Sequence, residues 1–262
     1  MTRRLCFTVD VDRDVNECVP NRTEAVSLHS DDARFTSSEA GVNIILDMMN
    51  DIGINGTFFT EATTLRNIDV QFGKNEVAMH GLDHEDMTGE VSGIRLSDDT
   101  LNNIMRTSSD IIKDRTGTAP KGFRAPYMRT DERIMNAAAG AGAVYDSSLY
   151  GVIGGTFGPY DLGNGMKEIL VPTGTDRNGK KITAYLWPMH ENKRTYDEYT
   201  EMAGTLNDGV FVIATHSWHI VESRSDGMMN SGQRKRNADN VRKIITDLLD
   251  SGFKAARMID VI

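Results

Sequence analysis

The sequence lacks three features that would each point to a broad class of protein. It has only two cysteines in 262 residues, Cys6 in an apolar segment and Cys18 in a polar one. Two cysteines supply neither a disulfide framework nor a thiolate metal site, so we expect a reducing, cytoplasmic location. No apolar run approaches the roughly 20 residues that span a membrane, and residues 1–12 contain no apolar signal-peptide segment. We therefore expect no membrane span.

Basic residues are too few and too dispersed to form a nucleic-acid surface. The chain has 29 lysines and arginines against 38 acidic residues, a formal net charge of -9. Phosphate binding requires clustered positive charge, so nucleic acid is not an expected partner. The basic run 233–236 is interpreted as a solvated helical segment.

Apolar segments with strand and helix patterns alternate along the chain. The capping-box sequence Thr36-Ser-Ser-Glu39 predicts a helix start, and Gly53 and Gly117 predict helix ends. Repeated strand-helix units predict a parallel sheet covered by helices, closed or nearly closed into a barrel, within one domain of residues 1–262. The predicted strands are 4–9, 54–60, 76–79, 121–125, 143–146, 168–171, 182–187, 210–215 and 253–258; the predicted helices are 36–49, 97–116, 131–141, 196–206 and 238–249.

Two long irregular segments interrupt this alternation, at 13–35 and 151–165. Loops of this length in a compact domain are commonly functional. An insertion without a functional role is the alternative for each of them.

Polar residues follow the predicted strands at one end. Every candidate residue lies where a strand finishes, and in an α/β barrel those ends share the face that carries the active site. This convergence is the main argument for a catalytic site. The candidates are Asp10, Asp12, His80, His84, Arg124, Asp146 and His216.

Two pairs among these residues suggest a metal centre. His80 and His84 are four residues apart, close enough to reach one divalent ion from one side. Asp10 and Asp12 would project to the same side of an extended strand, where two carboxylates repel unless a cation lies between them. This suggests that one of the two aspartates is a metal ligand and the other is a base. Alternatively, an acidic pair of this kind can cap a helix or lie in a solvated loop.

Three further residues have both a catalytic and a structural interpretation. Arg124 is expected to pair with a carboxylate, preferably that of Asp10, and such a pair can be purely structural. His216 could be a general acid or a buried core histidine. Trp218 could form an apolar wall for a substrate or pack the rim of the barrel. His29 and His190 are expected to lie at the surface or to be secondary.

Six motifs in order resemble those of the polysaccharide deacetylase family (NodB homology, carbohydrate esterase 4). The resemblance covers residues 4 to about 216, and the order of the motifs is more specific than any one of them. The motifs are Thr8-Val-Asp-Val-Asp12, Gly56-Thr-Phe-Phe59, His80-x-x-x-His84, Arg124-Ala-Pro-Tyr127, Asp146-Ser-Ser148 and Thr215-His216.

The resemblance implies a distorted (β/α)7 barrel and a role for each site residue. Asp12, His80 and His84 would bind the metal, Asp10 would be the general base, and Arg124 would position Asp10. The backbone amide of Tyr127 would contribute to an oxyanion hole, and His216 would be the general acid. Three departures concern the substrate: Val11 separates the usually adjacent acidic pair, the tryptophan expected after Asp146 is missing, and Ala214 replaces a common leucine.

The sequence thus predicts a metal-dependent hydrolase acting on carbon-nitrogen bonds other than peptide bonds. The expected ion is Zn²⁺, with Co²⁺, Ni²⁺ or Mn²⁺ as alternatives, and the expected reaction is N-deacetylation of an N-acetylated saccharide. The Asp-x-Asp form also occurs in hydrolases of cyclic amides, so a cyclic imide or ureide is a second candidate substrate. A barrel that binds carbohydrate without catalysis is the third interpretation. Monomer and homo-oligomer are both left open.

Overall fold

The computed structural model describes residues 2–154 and 156–262. Strands occur from near the beginning of this range to near its end. Gly155, in the predicted loop 151–165, lies outside the described residues. The strands are β1 (Arg3–Val11), β2 (Asn16–Glu17), β3 (Val26–Ser27), β4 (Thr57–Thr60), β5 (Glu76–Met79), β6 (Gly122–Phe123), β7 (Tyr145–Asp146), β8 (Tyr150–Val152), β9 (Thr156–Phe157), β10 (Tyr160–Asp161), β11 (Lys167–Glu168), β12 (Val171–Thr175), β13 (Lys181–Thr183), β14 (Asp208–His216), β15 (Glu222–Ser223), β16 (Gly227–Met228) and β17 (Lys254–Ala255).

The longer helices alternate with strands along most of the chain, as the sequence pattern predicts. Short 3-10 helices occur at Pro126–Met128, Trp218–Ile220 and Met258–Val261. The α-helices are α1 (Thr36–Ile52), α2 (Ala62–Asn67), α3 (Asp98–Thr116), α4 (Glu132–Gly140), α5 (Trp187–His190), α6 (Tyr196–Gly204) and α7 (Ser231–Asp250). No helix in the described ranges combines the length and apolar character needed to cross a bilayer.

A curled parallel sheet forms the centre of the fold. Its neighbouring strands run in the order β11, β7, β6, β5, β4, β1 and β14, and every adjacent pair is parallel. Ala184 and Leu186 continue the ring, because the backbone of this segment bonds to Ala214 on one side and to Pro172 on the other. The predicted distorted (β/α)7 barrel is therefore confirmed. That residues 1–262 form one domain stays a prediction.

Several predicted elements differ in extent from the structure: the strands 54–60, 121–125 and 143–146 are shorter, the strand 168–171 is divided between β11 and β12, and the helix 238–249 begins earlier, at Ser231. Two further strands change in kind as well as in length. The predicted strand 182–187 ends at Thr183 in β13, and Trp187 begins the short helix α5, with Pro188 in its first turn. Proline suits the first turn of a helix because its missing N–H has no partner there in any case. The predicted strand 253–258 is reduced to β17, which is followed by a 3-10 helix.

The predicted capping box of α1 is also wrong. Phe35 is the N-cap residue and its side chain makes no capping bond. Instead, the carboxylate of Asp14 accepts hydrogen bonds from the amides of Ser37 (3.0 Å) and Ser38 (2.7 Å). The irregular segment after β1 thus supplies the acceptor that the first turn of α1 requires.

Candidate active site

The predicted site residues meet at one end of the barrel. Asp10 lies near the end of β1 and pairs in register with His216, the last residue of β14. His80 directly follows β5, and Arg124 directly follows β6. The side chains are almost entirely buried, from 0% exposed for Arg124 to 8% for His216. The structure therefore brings these residues together at one end of the sheet.

Asp12, His80 and His84 form a cluster suited to a metal ion. One potential ligand atom from each residue lies within 4.8 Å of the others. His84 Nε2 is 3.2 Å from Asp12 Oδ2. His80 Nδ1 is 2.8 Å from the carbonyl oxygen of Arg124, so Nδ1 carries the proton and Nε2 is left free to bind an ion.

The electrostatics of this cluster also fit a cation. Burial lowers the pKa of His80, and it lowers that of His84 to about 4, so both rings are neutral at pH 7, the form that binds metal. Burial raises the pKa of Asp12, and the nearby charges of Asp10 and Glu61 add to this effect. Asp12 Oδ1 is buried without a hydrogen-bond partner in the described part of the chain. A bound cation would satisfy that oxygen and favour the ionised carboxylate.

Arg124 holds Asp10 as predicted. Its Nη1 atom lies 2.7 Å from Asp10 Oδ1, and its Nε donates to the carbonyl of Ser147 at 2.9 Å. The guanidinium also lies over the ring of Phe59, 4.2 Å from its centroid. Burial by itself would raise the pKa of Asp10, but Arg124, followed by His80 and His216, lowers it to about 2. Asp10 is therefore ionised at neutral pH and able to accept a proton.

Tyr127 lies on a strained turn beside the cluster. Its φ of 60° and the φ of 56° at Met128 both lie in the left-handed region, which is uncommon for residues with side chains. The Tyr127 ring packs edge-on against that of His84, with 4.4 Å between centroids. The amide of Ala125, two residues earlier, donates to Ser148 Oγ at 2.8 Å, and this bond anchors the turn to the end of β7.

Tyr185 belongs to the site and was not predicted from the sequence. Its hydroxyl hydrogen-bonds to Asp10 Oδ2 and lies 3.2 Å from His216 Nε2. The sequence pattern predicts only that Tyr185 lies inside the strand 182–187, and no motif surrounds it. Its position on the segment that closes the barrel ring, opposite Ala214, brings it to the site. The only sequence signal was a tyrosine near a strand's end.

Aromatic residues enclose His216, and Trp218 takes the second of its two predicted roles, packing at the rim of the barrel. Trp218 is fully buried and stacks on His216, with 5.1 Å between ring centroids, so it packs the barrel end and cannot form an exposed wall. Trp187 is half-buried and meets His216 edge-on at 5.7 Å. His190 is buried, not at the surface, and its Nε2 lies 2.9 Å from Thr215 Oγ1.

The long segment 13–35 contacts the Asp12, His80 and His84 cluster, while its functional role stays a prediction. Asn16 Nδ2 donates to Asp12 Oδ2 at 2.5 Å. Arg13 is buried against Glu61, which fixes the start of the segment beside the metal cluster. Strands β2 and β3 pair within the segment, so it is ordered by its own backbone hydrogen bonds. Segment 151–165, the other irregular region, contains the short strands β8, β9 and β10.

A family model described as polysaccharide deacetylase matches residues 19–145. The matched range includes His80, His84, Arg124 and Tyr127. It begins after Asp10 and Asp12 and ends before His216 and Tyr185, so those residues are supported by geometry and motif order only. The chain is also 27% identical over 126 residues to the peptidoglycan deacetylase-like protein FGM2 of Gibberella zeae. The match covers 45% of this chain and 36% of that relative's length.

Solved structures with the same fold have different activities. Puue allantoinase matches with a TM-score of 0.61 and 15% identity over 99% of this chain and 88% of its own. A family 4 carbohydrate esterase from Streptomyces lividans, in complex with acetate, matches with a TM-score of 0.54 and 16% identity; the match covers 97% of this chain and 91% of the esterase chain. A CE4 family pseudoenzyme from Bacillus anthracis matches with a TM-score of 0.58 and 13% identity; the match covers 99% of this chain and 65% of the pseudoenzyme chain. At these identities the likeness shows the fold alone.

Proposed function

Since the chain belongs to the polysaccharide deacetylase family, we propose that it is a metal-dependent hydrolase that removes the acetyl group from an N-acetylated saccharide. One observation carries the proposal. Asp10, ionised and held by Arg124, lies beside the Asp12, His80 and His84 cluster, and His216 is its register partner on β14. Candidates for the base, the metal ligands and the acid therefore share one buried end of the barrel.

Two imidazoles and one carboxylate are the donor set of many catalytic zinc sites, and they leave positions open for water and substrate. We propose Zn²⁺ as the ion, with Co²⁺, Ni²⁺ or Mn²⁺ as alternatives. When bound, the ion supplies positive charge that acidifies water and polarises an amide carbonyl.

In the proposed reaction Asp10 accepts the proton of the attacking water. Arg124 keeps this carboxylate ionised and directed toward the cluster, and Asp10 Oδ2 lies 4.0 Å from His80 Nε2. The N–H of Tyr127 is the proposed donor to the oxyanion that forms on the substrate carbonyl. One well-placed donor of this kind contributes on the order of 3 kcal/mol to the transition state.

His216 is the proposed donor of the proton that the leaving amine requires. Its Nε2 lies 3.9 Å from Asp12 Oδ2, so the ring reaches the cluster from the β14 side. Burial lowers the pKa of His216 well below its usual value, and the neighbouring His219 adds to this effect. The ring is therefore neutral at pH 7 and protonates the amine only after it has taken up a proton, and the proton that Asp10 accepts from the water is the proposed source.

Two other functions use the same barrel. Hydrolysis of a small cyclic amide is a second candidate, because Puue allantoinase shows that this fold can carry an allantoinase. Saccharide binding without catalysis is a third candidate, because the same fold also occurs in a CE4 family pseudoenzyme. The intact Asp10, Asp12, His80 and His84 set argues for chemistry over binding alone.

The test is a substrate comparison with zinc-loaded protein. Acetate release from N-acetylglucosamine oligomers is measured beside ring opening of a cyclic ureide, for wild type and for Asp10→Asn. We expect acetate release by the wild type and its loss in the variant. Ring opening alone would replace the deacetylase proposal with the cyclic amide hydrolase. Saccharide binding that survives chelation, with no turnover of either substrate, would favour the binding protein.

A further inference from the structure

Both carboxylate oxygens of Asp10 are occupied by side chains from other parts of the barrel. Oδ1 accepts from Arg124 Nη1 at 2.7 Å, and Oδ2 accepts from the hydroxyl of Tyr185. A carboxylate held at only one oxygen can rotate about its last torsion, which is broad for aspartate. The bond from Tyr185 removes that freedom, so the orientation of Asp10 depends on two residues.

The same hydroxyl also contacts His216. Tyr185 Oη lies 3.2 Å from His216 Nε2, and the two rings are tilted at 38° with 5.0 Å between centroids. An ionised carboxylate can only accept, so the single hydroxyl proton of Tyr185 is donated to Asp10. The oxygen of Tyr185 is then the acceptor for His216, and Nε2 must carry the ring proton. His216 Nδ1 is buried with no hydrogen-bond partner in the described residues.

The backbone of Tyr185 is fixed by the closure of the barrel. The amide of Leu186 donates to the carbonyl of Ala214 at 2.8 Å, and the amide of Ala214 donates to the carbonyl of Ala184 at 2.9 Å. Tyr185 thus lies beside β14, where it pairs with Ala214, two residues before His216. Tyr185 is only 8% exposed, so its hydroxyl is held by contacts with protein side chains and not by solvent.

We propose that Tyr185 is a positioning residue that sets both Asp10 and His216, the base and the acid of the proposed reaction. This inference rests on the proposed function. Its hydroxyl fixes the direction of the Asp10 carboxylate and keeps the ring proton of His216 on Nε2. One hydroxyl therefore couples the two residues that exchange protons with the substrate.

The test compares Tyr185→Phe with Tyr199→Phe in zinc-loaded protein. Tyr199 is also fully buried, lies on α6, and its hydroxyl has no hydrogen-bond partner in the described residues. Each variant is assayed on an N-acetylated saccharide and on an aryl acetate ester. The ester's phenolate leaves without needing a proton from an acid, so the ester reports on Asp10 but not on His216.

For Tyr185→Phe we expect kcat on the amide to fall about ten- to a hundredfold, since a hydrogen bond to a charged group is lost. KM and zinc content should match the wild type, and the loss on the ester should be smaller. The thermal midpoint should fall by several degrees, because one hydrogen bond to the buried Asp10 carboxylate is lost while its pair with Arg124 remains. Tyr199→Phe should behave as the wild type. Equal losses on both substrates, loss of bound zinc, or activity within twofold of Tyr199→Phe would overturn the positioning role. A wild type inactive on both substrates would instead overturn the proposed function, and this inference with it.

Discussion

The guanidinium of Arg124 lies 2.7 Å from the carboxylate of Asp10, and both side chains are removed from solvent. Each charge is compensated chiefly by the other. A buried pair of this kind adds little or no stability over apolar side chains of similar size, but the loss of one partner leaves an uncompensated charge in the interior.

Arg124→Met should therefore lower the free energy of unfolding by about 3 to 5 kcal/mol, because Asp10 is left charged and unpaired. Urea unfolding measures this loss of free energy as a lower midpoint concentration of urea, with the dependence of free energy on urea concentration unchanged. The double variant Arg124→Met, Asp10→Asn should recover part of that loss, since it removes both charges. A double variant less stable than Arg124→Met alone would contradict the pairing.

Asp14 is predicted to stabilise α1 through its first turn. Asp14→Ala removes the acceptor of the Ser37 and Ser38 amides, whose bonds are 3.0 and 2.7 Å long. We expect a loss of about 1 to 2 kcal/mol in unfolding free energy, the usual effect of removing a helix cap. Asp31→Ala is the control, since Asp31 is exposed in the same segment. Equal stability of the two variants would rule out the cap.

The buried pair Asp146 and Glu168 should make stability depend on pH. Burial, together with the charge of Asp146, raises the pKa of Glu168 far above its model-peptide value of 4.5. The folded protein thus keeps a proton that the unfolded chain releases near pH 4.5, so the free energy of unfolding falls as pH rises above that value.

Glu168→Gln removes this dependence, because an amide has no proton to release. The stability of the variant relative to the wild type should increase steadily between pH 5 and pH 9, as measured by thermal unfolding across that range. A constant difference between the two proteins at all pH values would mean that Glu168 ionises normally in the folded state.

The sequence predicted the barrel and most of the site because both depend on local patterns. Strand and helix periodicity gives the order of elements, and parallel strands bring Asp10, His80, Arg124 and His216 to one end whatever the details of packing. Short-range patterns failed where long-range contacts decide. Asp14 replaced a local capping box at α1, and Tyr185 reached the site only because its segment closes the barrel ring.

Burial was likewise not predictable residue by residue. Trp218 and Trp187 lie at the same end of the barrel, yet Trp218 is enclosed between His216 and His219, and Trp187 is half-buried. His190, expected either at the surface or in a secondary role, is buried at the end of α5, where its Nε2 lies 2.9 Å from Thr215 Oγ1 on β14. These differences depend on how the connections fold over the barrel end, which the sequence pattern does not specify.

The most direct test of the account is the metal content of the purified protein after incubation with Zn²⁺ and removal of excess, measured by elemental mass spectrometry. Three proteins are compared: the wild type, a double variant that carries both His80→Ala and His84→Ala, and the control His29→Ala, whose histidine is exposed. The account predicts about one equivalent of zinc in wild type and control, and none in the double variant. A wild type that stays empty, or a double variant that keeps its zinc, would contradict it.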